Sequence, residues 1–233
     1  MKAILLDIEG TTTPIDFVHK TLFPFARKRM FDFVQTNLAN IQDEIASLHA
    51  EHRDDLAKGK FPPPFDELSV KSITAYLHYL IDNDRKSTAL KSIQGRIWRA
   101  GYESGELIGE VFDDVPIAFE RWKSQSKIIA IFSSGSVLAQ KLIFSYSNAG
   151  NLTQYISNYF DTTMGAKSEP ESYLRISDAL GFSPLEILFL SDSSAELDAA
   201  SIAGMSCKLS IRPNNPLPEN PLEYESFGSF IDI

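Results

Sequence analysis

The chain has 233 residues and carries 22 Lys and Arg against 31 Asp and Glu, which gives a formal net charge of −9. This acidity excludes a general electrostatic attraction to nucleic acid or to anionic membranes. Hydrophobic residues make up 43% of the chain, enough for a globular core without disulfides. The single cysteine, Cys207, cannot form an intrachain disulfide, which favours a reducing compartment. No run approaches the roughly 18 apolar residues of a membrane span. We therefore expect no nucleic-acid or membrane partner. The expected location is the cytoplasm, and in a eukaryote the nucleus is a second candidate location.

The N-terminal part of the chain combines one short strand with a long helical region. Residues 3–6 (AILL) form a continuously apolar run, which is typical of a strand buried on both faces of a parallel sheet. From residue 17 to about 107 the apolar residues follow the helical period, and no strand is predicted there. The prolines of KFPPPFDE at 60–67 divide this region, because proline is excluded from helix interiors. The predicted helices lie in HKTLFPFARKRMFDFVQTNL, NIQDEIASLHAEHRDDLAKG, LSVKSITAYLHYLIDND and STALKSIQGRIWRAGYESG.

The remainder of the chain alternates helices with apolar strands. The helix expected near residue 170 opens with Ser168-Glu169-Pro170-Glu171, a capping-box pattern. Alternating strands and helices predict right-handed crossovers and a doubly wound parallel sheet of the α/β class. We expect this core at residues 1–15 and 111–233, with an all-helical cap inserted at 16–110. The other predicted helices are at 114–123, 137–147 and 195–204, and the other predicted strands are at 127–132, 187–190 and 206–211 (the last strand). A short run at 155–160 precedes DTTMGAK, and a surface connection with a short final element is expected from Pro213.

Polar residues stand where the predicted strands end. Parallel α/β sheets bind ligands beyond the carboxyl ends of their strands, so we expect these side chains to meet there. Carboxylates in that position suit a hard cation such as Mg²⁺, which needs few protein ligands and keeps several waters. The residues are Asp7 and Glu9 after the first strand, Ser133 and Ser134 after the second core strand, Asp192 after a later strand, and Lys167 before a helix.

Phosphoryl transfer is the chemistry that these residue types predict. Asp7 could attack phosphorus and form an aspartyl phosphate, while Mg²⁺ and Lys167 balance the oxyanion charge. Ser133, Ser134 and the neighbouring backbone amides could bind the phosphate oxygens. Glu9 could protonate the leaving oxygen and later deprotonate water. No Ser-His-Asp order and no P-loop lysine is present in the sequence, which excludes serine-hydrolase and P-loop mechanisms.

DIEGT at 7–11 resembles the first motif of the haloacid dehalogenase superfamily, and Ser133, Lys167 and Asp192 are similar to its second, third and fourth motifs. Glu9 replaces the aspartate that is usual in the first motif. This form is found in the enolase-phosphatases of methionine salvage. Four longer stretches also resemble that family: DIEGTTTPI, KSTALKSIQGRIW, FSSGSVLAQKLIF and FDTTMGAKSEPESY. The similarity runs from about residue 3 to 213 and covers both cap and core.

The resemblance implies a haloacid-dehalogenase-like core with a helical cap and one Mg²⁺ per chain. It implies enolisation of 5-(methylthio)-2,3-dioxopentyl phosphate, followed by dephosphorylation to the acireductone. Asp7, Glu9 and Asp192 correspond to metal-site positions, Glu9 through its backbone carbonyl or its side chain. Ser133, Ser134 and Lys167 correspond to the family's substrate and phosphate contacts. The expected partner is this small phosphorylated diketone, and we expect a monomer.

Other polar residues have simpler interpretations. Glu196 and Asp198 lie at a helix start, where acids suit the helix dipole without any chemistry, so neither is a predicted site residue. His49 and His52 lie among charged residues and are predicted on a solvated face. Lys167, before a helix, is expected to be structurally cheap to replace. Trp98 and Tyr102 are predicted core residues, Cys207 a buried, inert thiol, and Lys86, Gln94 and Arg99 are the polar candidates for substrate contacts in the cap.

Three alternatives remain open from the sequence. The chain could be a phosphatase of the same superfamily that acts on another small phosphate. It could be a phospho-acceptor signalling module, although such modules are about half this length and lack a helical insert. It could also be an inactive interaction protein, which the retention of all four motif positions argues against.

Overall fold

A computed structural model of the chain describes residues 1–216 and 223–233. It divides them into two compact units, one formed by Met1–Lys20 with Leu107–Ile233 and the other by Thr21–Glu106. Part of the expected surface connection after Pro213, residues 217–222, lies outside the described residues. Within the described ranges, no helix is both long enough and apolar enough to cross a bilayer.

The helical unit contains four α-helices and no strand, as the sequence predicts. Ser69 and Ser87 cap the third and fourth helices, accepting hydrogen bonds from the backbone N–H of Ser72 and Leu90 at 3.2 Å each. Residues 60–69 contain no helix or strand, in agreement with the prolines at 62–64. Trp98 and Tyr102 are buried, which confirms the prediction for both. The helices are α1 (Phe23–Asn37), α2 (Gln42–Ala57), α3 (Val70–Asp82) and α4 (Thr88–Glu103).

The other unit is built on a six-stranded parallel sheet with the strand order β3-β2-β1-β4-β5-β6. This confirms the predicted doubly wound α/β fold. The chain winds from β1 to one edge and then returns to β4, so β1 lies between β2 and β4 and the topological switch point is at its carboxyl end. The strands are β1 (Ala3–Leu6), β2 (Ile128–Phe132), β3 (Asn158–Phe160), β4 (Ile187–Ser191), β5 (Ser206–Ser210) and β6 (Ser226–Phe227).

Helices cover both faces of this sheet, which explains why its central strands are apolar throughout. Tyr173 and Leu197 pack with Ala3 and Leu5 on one face. Alternate residues of β1, such as Ile4, are also fully buried, and they point to the opposite face. The α-helices of this unit are α5 (Asp114–Ser124), α6 (Val137–Ser145), α7 (Pro170–Leu180) and α8 (Ser194–Ile202).

Two local expectations are wrong. The capping box at Ser168 does not form, because α7 begins at Pro170 with Glu169 as its N-cap and no side-chain cap. Proline fits the first helical position, where its missing N–H costs nothing. The strand at residue 206 is also not the last, because the two-residue strand β6 pairs with β5. A strand of two residues is too short to carry a periodic signal.

Candidate active site

The carboxyl ends of β1 and β4 bring the first and fourth motifs together. The backbone N–H of Asp7 donates to the carbonyl of Leu190 at 3.0 Å and extends the pairing of the two strands. Gly10 adopts φ +71°, and a Cβ at this position would lie 2.0 Å from Oδ2 of Asp192. Only glycine allows both this left-handed turn and this close approach. The Asp192 carboxylate therefore lies directly against the loop that follows Asp7.

Lys167 is buried in the same place and binds two carboxylates. Its Nζ lies 2.5 Å from Oδ1 of Asp7 and 2.6 Å from Oε2 of Glu196. Tyr173 fixes the backbone at this point by donating its hydroxyl hydrogen to the Lys167 carbonyl at 2.7 Å. Burial alone would lower the pKa of Lys167, but the charges of Asp7 and Glu196 outweigh it and raise the pKa above its usual value. The side chain is therefore a fixed cation, and the expectation that it is structurally cheap to replace is wrong.

Glu196 is a member of this cluster that the sequence analysis left out. Its Oε2 accepts from the Ser191 hydroxyl at 2.9 Å as well as from Lys167. Burial and the charge of Asp7 raise the pKa of Glu196. The spacing in the sequence could have identified Glu196, because it lies four residues after Asp192 and in the first turn of α8. Asp198, by contrast, accepts a hydrogen bond from Tyr224 at 2.6 Å.

The electrostatics of the cluster fit a bound cation. Burial, and then the charges of Asp7 and Glu196, raise the pKa of Asp192 to about 7. The carboxylates of Asp7, Asp192 and Glu196 thus lie close together at the carboxyl ends of β1 and β4, where Lys167 supplies positive charge. In residues 1–216 and 223–233, no group of three or more His, Cys, Asp or Glu side chains has the arrangement of a metal site. Mg²⁺ can be held by one or two carboxylates with waters, so a cluster without a three-residue ligand group is compatible with this ion.

Ser133 and Ser134 follow β2, the strand beside β1. Ser133 is buried, its N–H donates to the carbonyl of Phe160 at 3.1 Å, and its Oγ accepts from the N–H of Gly135 at 3.1 Å. Ser134 is exposed. Because Oγ of Ser133 acts as an acceptor within the loop, its hydroxyl hydrogen can point to an anionic ligand.

Glu9 lies in the loop that follows β1, two residues after Asp7. Oε2 of Glu9 is 3.6 Å from Nε2 of His19, and both side chains are about half exposed. His19 belongs to a π-helix at Phe17–Leu22, a rare form that often marks functional sites. Thr12 donates to the carbonyls of Asp7 and Ile8 at 3.3 Å, so this threonine serves the loop backbone.

A family model described as "haloacid dehalogenase-like hydrolase" matches residues 1–204, and the doubly wound parallel sheet is the fold of this class of hydrolases. "Enolase-phosphatase E1" of Synechococcus elongatus is 50% identical over 218 residues, which cover 93% of this chain and 91% of the relative. The enolase-phosphatase E1 of Drosophila pseudoobscura pseudoobscura is 44% identical, with 94% and 88% of the two chains covered. The chain therefore belongs to the enolase-phosphatase E1 family of haloacid dehalogenase-like hydrolases.

A solved structure supports the same relationship. The UTR4 protein of Saccharomyces cerevisiae superposes with a TM-score of 0.82 at 34% identity, over 100% of this chain and 99% of the yeast chain. The match extends over the helical unit as well as the sheet, so both units have counterparts in one known protein.

Proposed function

We propose that this chain is a Mg²⁺-dependent enolase-phosphatase that converts 5-(methylthio)-2,3-dioxopentyl phosphate to the acireductone 1,2-dihydroxy-5-(methylthio)pent-1-en-3-one and phosphate. One observation carries the phosphatase half. The carboxylate of Asp7 lies at the switch point of the sheet and is held by the buried ammonium of Lys167. Substrate and pathway rest on the similarity to relatives named enolase-phosphatase E1.

In the phosphatase half-reaction, Asp7 is the nucleophile. Lys167 contacts Oδ1, which leaves Oδ2 to attack the phosphorus and keeps the ammonium close to the transferring group. The carboxylate oxygen forms a bond to phosphorus as the bond to the enol oxygen breaks, giving an aspartyl phosphate that water then cleaves. Ser133 and Ser134 contact the phosphate oxygens, and the ammonium of Lys167 stabilises the charge on them.

Asp7 and Asp192 would hold the metal, together with Glu9 through its backbone carbonyl. When bound, Mg²⁺ supplies positive charge that polarises the oxygens of the phosphate and of the diketone. Glu9 is the proposed acid and base of the reaction. Its carboxylate accepts the proton that enolisation removes from the carbon next to a carbonyl group, while that carbonyl oxygen takes a proton from solvent. Glu9 then protonates the leaving oxygen and, as a carboxylate again, deprotonates the water that cleaves the aspartyl phosphate.

The two compact units correspond, in this proposal, to the catalytic core and the cap. The cap carries the candidate substrate contacts, of which Lys86 and Arg99 are exposed whereas the Gln94 side chain is buried. A monomeric state, one Mg²⁺ per chain and a cytoplasmic location belong to the same proposal.

Turnover with a panel of phosphate esters tests the function. The diketone phosphate should give sustained turnover, with the enol followed by ultraviolet absorbance and phosphate measured separately. Sugar phosphates and phosphoglycolate should be poorer by at least about a hundredfold in kcat/KM. Faster hydrolysis of another ester without enol formation would assign a different phosphatase activity, and phosphorylation that stops after one event per chain would assign a phospho-acceptor module.

A further inference from the structure

The side chain of Gln140, in α6, is completely enclosed beside the loop that follows β2. Its Nε2 donates two hydrogen bonds to backbone carbonyls, one to Gly135 at 2.9 Å and one to Phe160 at 2.8 Å. Two carbonyl acceptors can be served only by the NH₂ group, so the chemistry fixes the orientation of the amide. Gln140 therefore ties the loop after β2 to the carboxyl end of β3.

The amide oxygen of Gln140, Oε1, adds an energetic cost to this arrangement. Within the described residues, Oε1 of Gln140 is buried and has no hydrogen-bond partner. A buried acceptor without a partner destabilises a fold, whereas an apolar side chain of the same volume would avoid that cost. The two carbonyl contacts are therefore the property that distinguishes Gln140 from an apolar replacement.

These contacts control the direction of the loop amides. The carbonyl of Phe160 accepts from the N–H of Ser133 as well as from Gln140. In a trans peptide the C=O and the following N–H point in opposite directions. Because Gln140 holds the Gly135 carbonyl, it also turns the N–H of Ser136 to the other side, at the first turn of α6. Ser136 caps that helix by accepting from the N–H of Ala139 at 3.3 Å.

We propose that Gln140 is a positioning residue, which holds the loop Ser133–Ser136 in the conformation that binds the phosphate group of substrate and product. This inference deepens the proposed function and rests on it. The N–H of Ser136 and the hydroxyl of Ser133 can bind one anion only while both point to the same side of the loop. Gln140 acts on that surface through Gly135 and Phe160 and does not contact the phosphate.

Gln140→Met tests this role, because methionine keeps the volume and removes both donors. Ile143→Val is the matched control, since Ile143 is buried in the same helix and loses one methylene group away from the loop. Calorimetry with inorganic phosphate in the presence of magnesium chloride measures binding without turnover. Steady-state kinetics with the diketone phosphate then give KM and kcat separately. Gln140→Asn, whose amide cannot reach both carbonyls, serves if the methionine variant does not fold.

The expected result is phosphate binding about tenfold weaker in the Gln140 variants, which is about 1.4 kcal/mol, with a similar rise in KM and a smaller change in kcat. Ile143→Val should lower the melting temperature and leave phosphate binding and KM within about twofold. Equal phosphate affinity in wild type and Gln140 variants would overturn the positioning role while leaving the proposed function intact. A wild-type protein that neither binds phosphate nor turns over the diketone phosphate would overturn both.

Discussion

At the scale of single residues, the Asp7 carboxylate is the group on which the proposed phosphatase chemistry depends. Asp7→Asn keeps an oxygen that can accept from Lys167, so the cluster and the fold should persist. The attacking carboxylate is lost, however, and no covalent intermediate can form. We expect phosphate release to fall by several orders of magnitude.

The time course of this variant separates the two half-reactions. Enolisation requires no attack by Asp7, so the enol phosphate should accumulate, and its ultraviolet absorbance should rise while phosphate stays low. Phosphate release within about tenfold of wild type, about 1.4 kcal/mol in barrier, would contradict the assignment of Asp7 as nucleophile. Loss of both signals would retain that assignment and show that Asp7 also controls binding for the first step.

Replacement of Lys167 should affect both the reaction and the fold. Lys167→Met retains most of the packing but leaves Asp7 and Glu196 without their shared cation. Turnover should fall by about 10²–10³, as on removal of a preorganised electrostatic contact, and the free energy of unfolding should fall by about 3 kcal/mol, as on breaking a buried ion pair. Kinetics and denaturant unfolding measure the two effects.

Lys208 provides the control for that experiment. Its ion pair with Glu225 at 2.6 Å is exposed. Exposed pairs contribute little, because water and salt screen them. Lys208→Met should therefore leave activity and stability unchanged, and a Lys167→Met variant that behaved in the same way would return Lys167 to the surface role that its sequence position suggests.

Sequence could predict the residues at the strand ends but not all of their contacts. Asp7 and Asp192 follow apolar strands, and strand order alone brings such positions together. The burial of Lys167 depends on the path of the chain before α7, which shows no periodic pattern. Glu196 was missed because the helix-dipole explanation accounts for an acid at that position equally well. Its pairing with Lys167 depends on a contact between distant parts of the chain.

At the scale of secondary-structure elements, α2 shows a similar limit. Its charged run suggested a solvated face for His52, and that prediction is wrong, since His52 is buried and its Nε2 lies 2.9 Å from the carbonyl of Pro63. Ile45 and Leu48 are buried on the same helix. The same three- or four-residue spacing, continued along the helix, predicts that positions 52 and 55 are also buried. The period of the apolar residues was therefore a better guide than the local density of charges.

Asp55 and Asp54 in this helix form a matched pair for measuring a buried ionic network. Asp55 is fully buried and accepts from Tyr76 at 3.0 Å, from Arg85 at 2.7 Å and from Lys60 at 3.1 Å. Asp55→Asn should lower the free energy of unfolding by about 3 kcal/mol. Asp54 forms an exposed pair with Lys58, so Asp54→Asn should change stability by less than about 0.5 kcal/mol.

The contribution of Asp55 should disappear in acid. Burial would raise the pKa of Asp55, but the hydrogen bonds from Arg85, Lys60 and Tyr76 lower it below 3.8. A carboxyl group whose pKa is lower in the folded state stabilises the fold above its unfolded pKa and loses this effect as pH falls through the folded pKa. The stability difference between wild type and Asp55→Asn should be constant from about pH 8 to 5 and shrink below about pH 4. A difference that persisted to pH 2 would contradict this.

The elements themselves were largely predictable. The helices α1 to α4 and the strands β1, β2 and β4 follow long or strongly apolar patterns, and these patterns are also what the tertiary packing buries. The π-helix at Phe17–Leu22 was not predicted, because a helix widened to the i→i+5 pattern has the same composition as an ordinary α-helix.

At the scale of the whole molecule, the proposed metal joins parts of the core that are distant in sequence. Chelation with EDTA should abolish phosphate release, and magnesium should restore it. Mg²⁺ should also raise the melting temperature, because a cation relieves the crowding of Asp7, Asp192 and Glu196, and this shift should be lost in Asp192→Asn. Sodium chloride at equal ionic strength is the control. Full activity in excess EDTA would refute the metal-dependent scheme.

The central position of β1 has a consequence for synthesis on the ribosome. Its neighbours β2 and β4 begin at Ile128 and Ile187, so both leave the exit tunnel long after Ala3–Leu6. The delay before β2 emerges is on the order of ten seconds at ordinary translation rates. During that time Thr21–Glu106 can complete its own helical core, whereas the apolar strand has no partner to pair with. We therefore expect the nascent chain to bind chaperones that recognise short aliphatic segments, and faster translation of the helical segment to shorten that exposure.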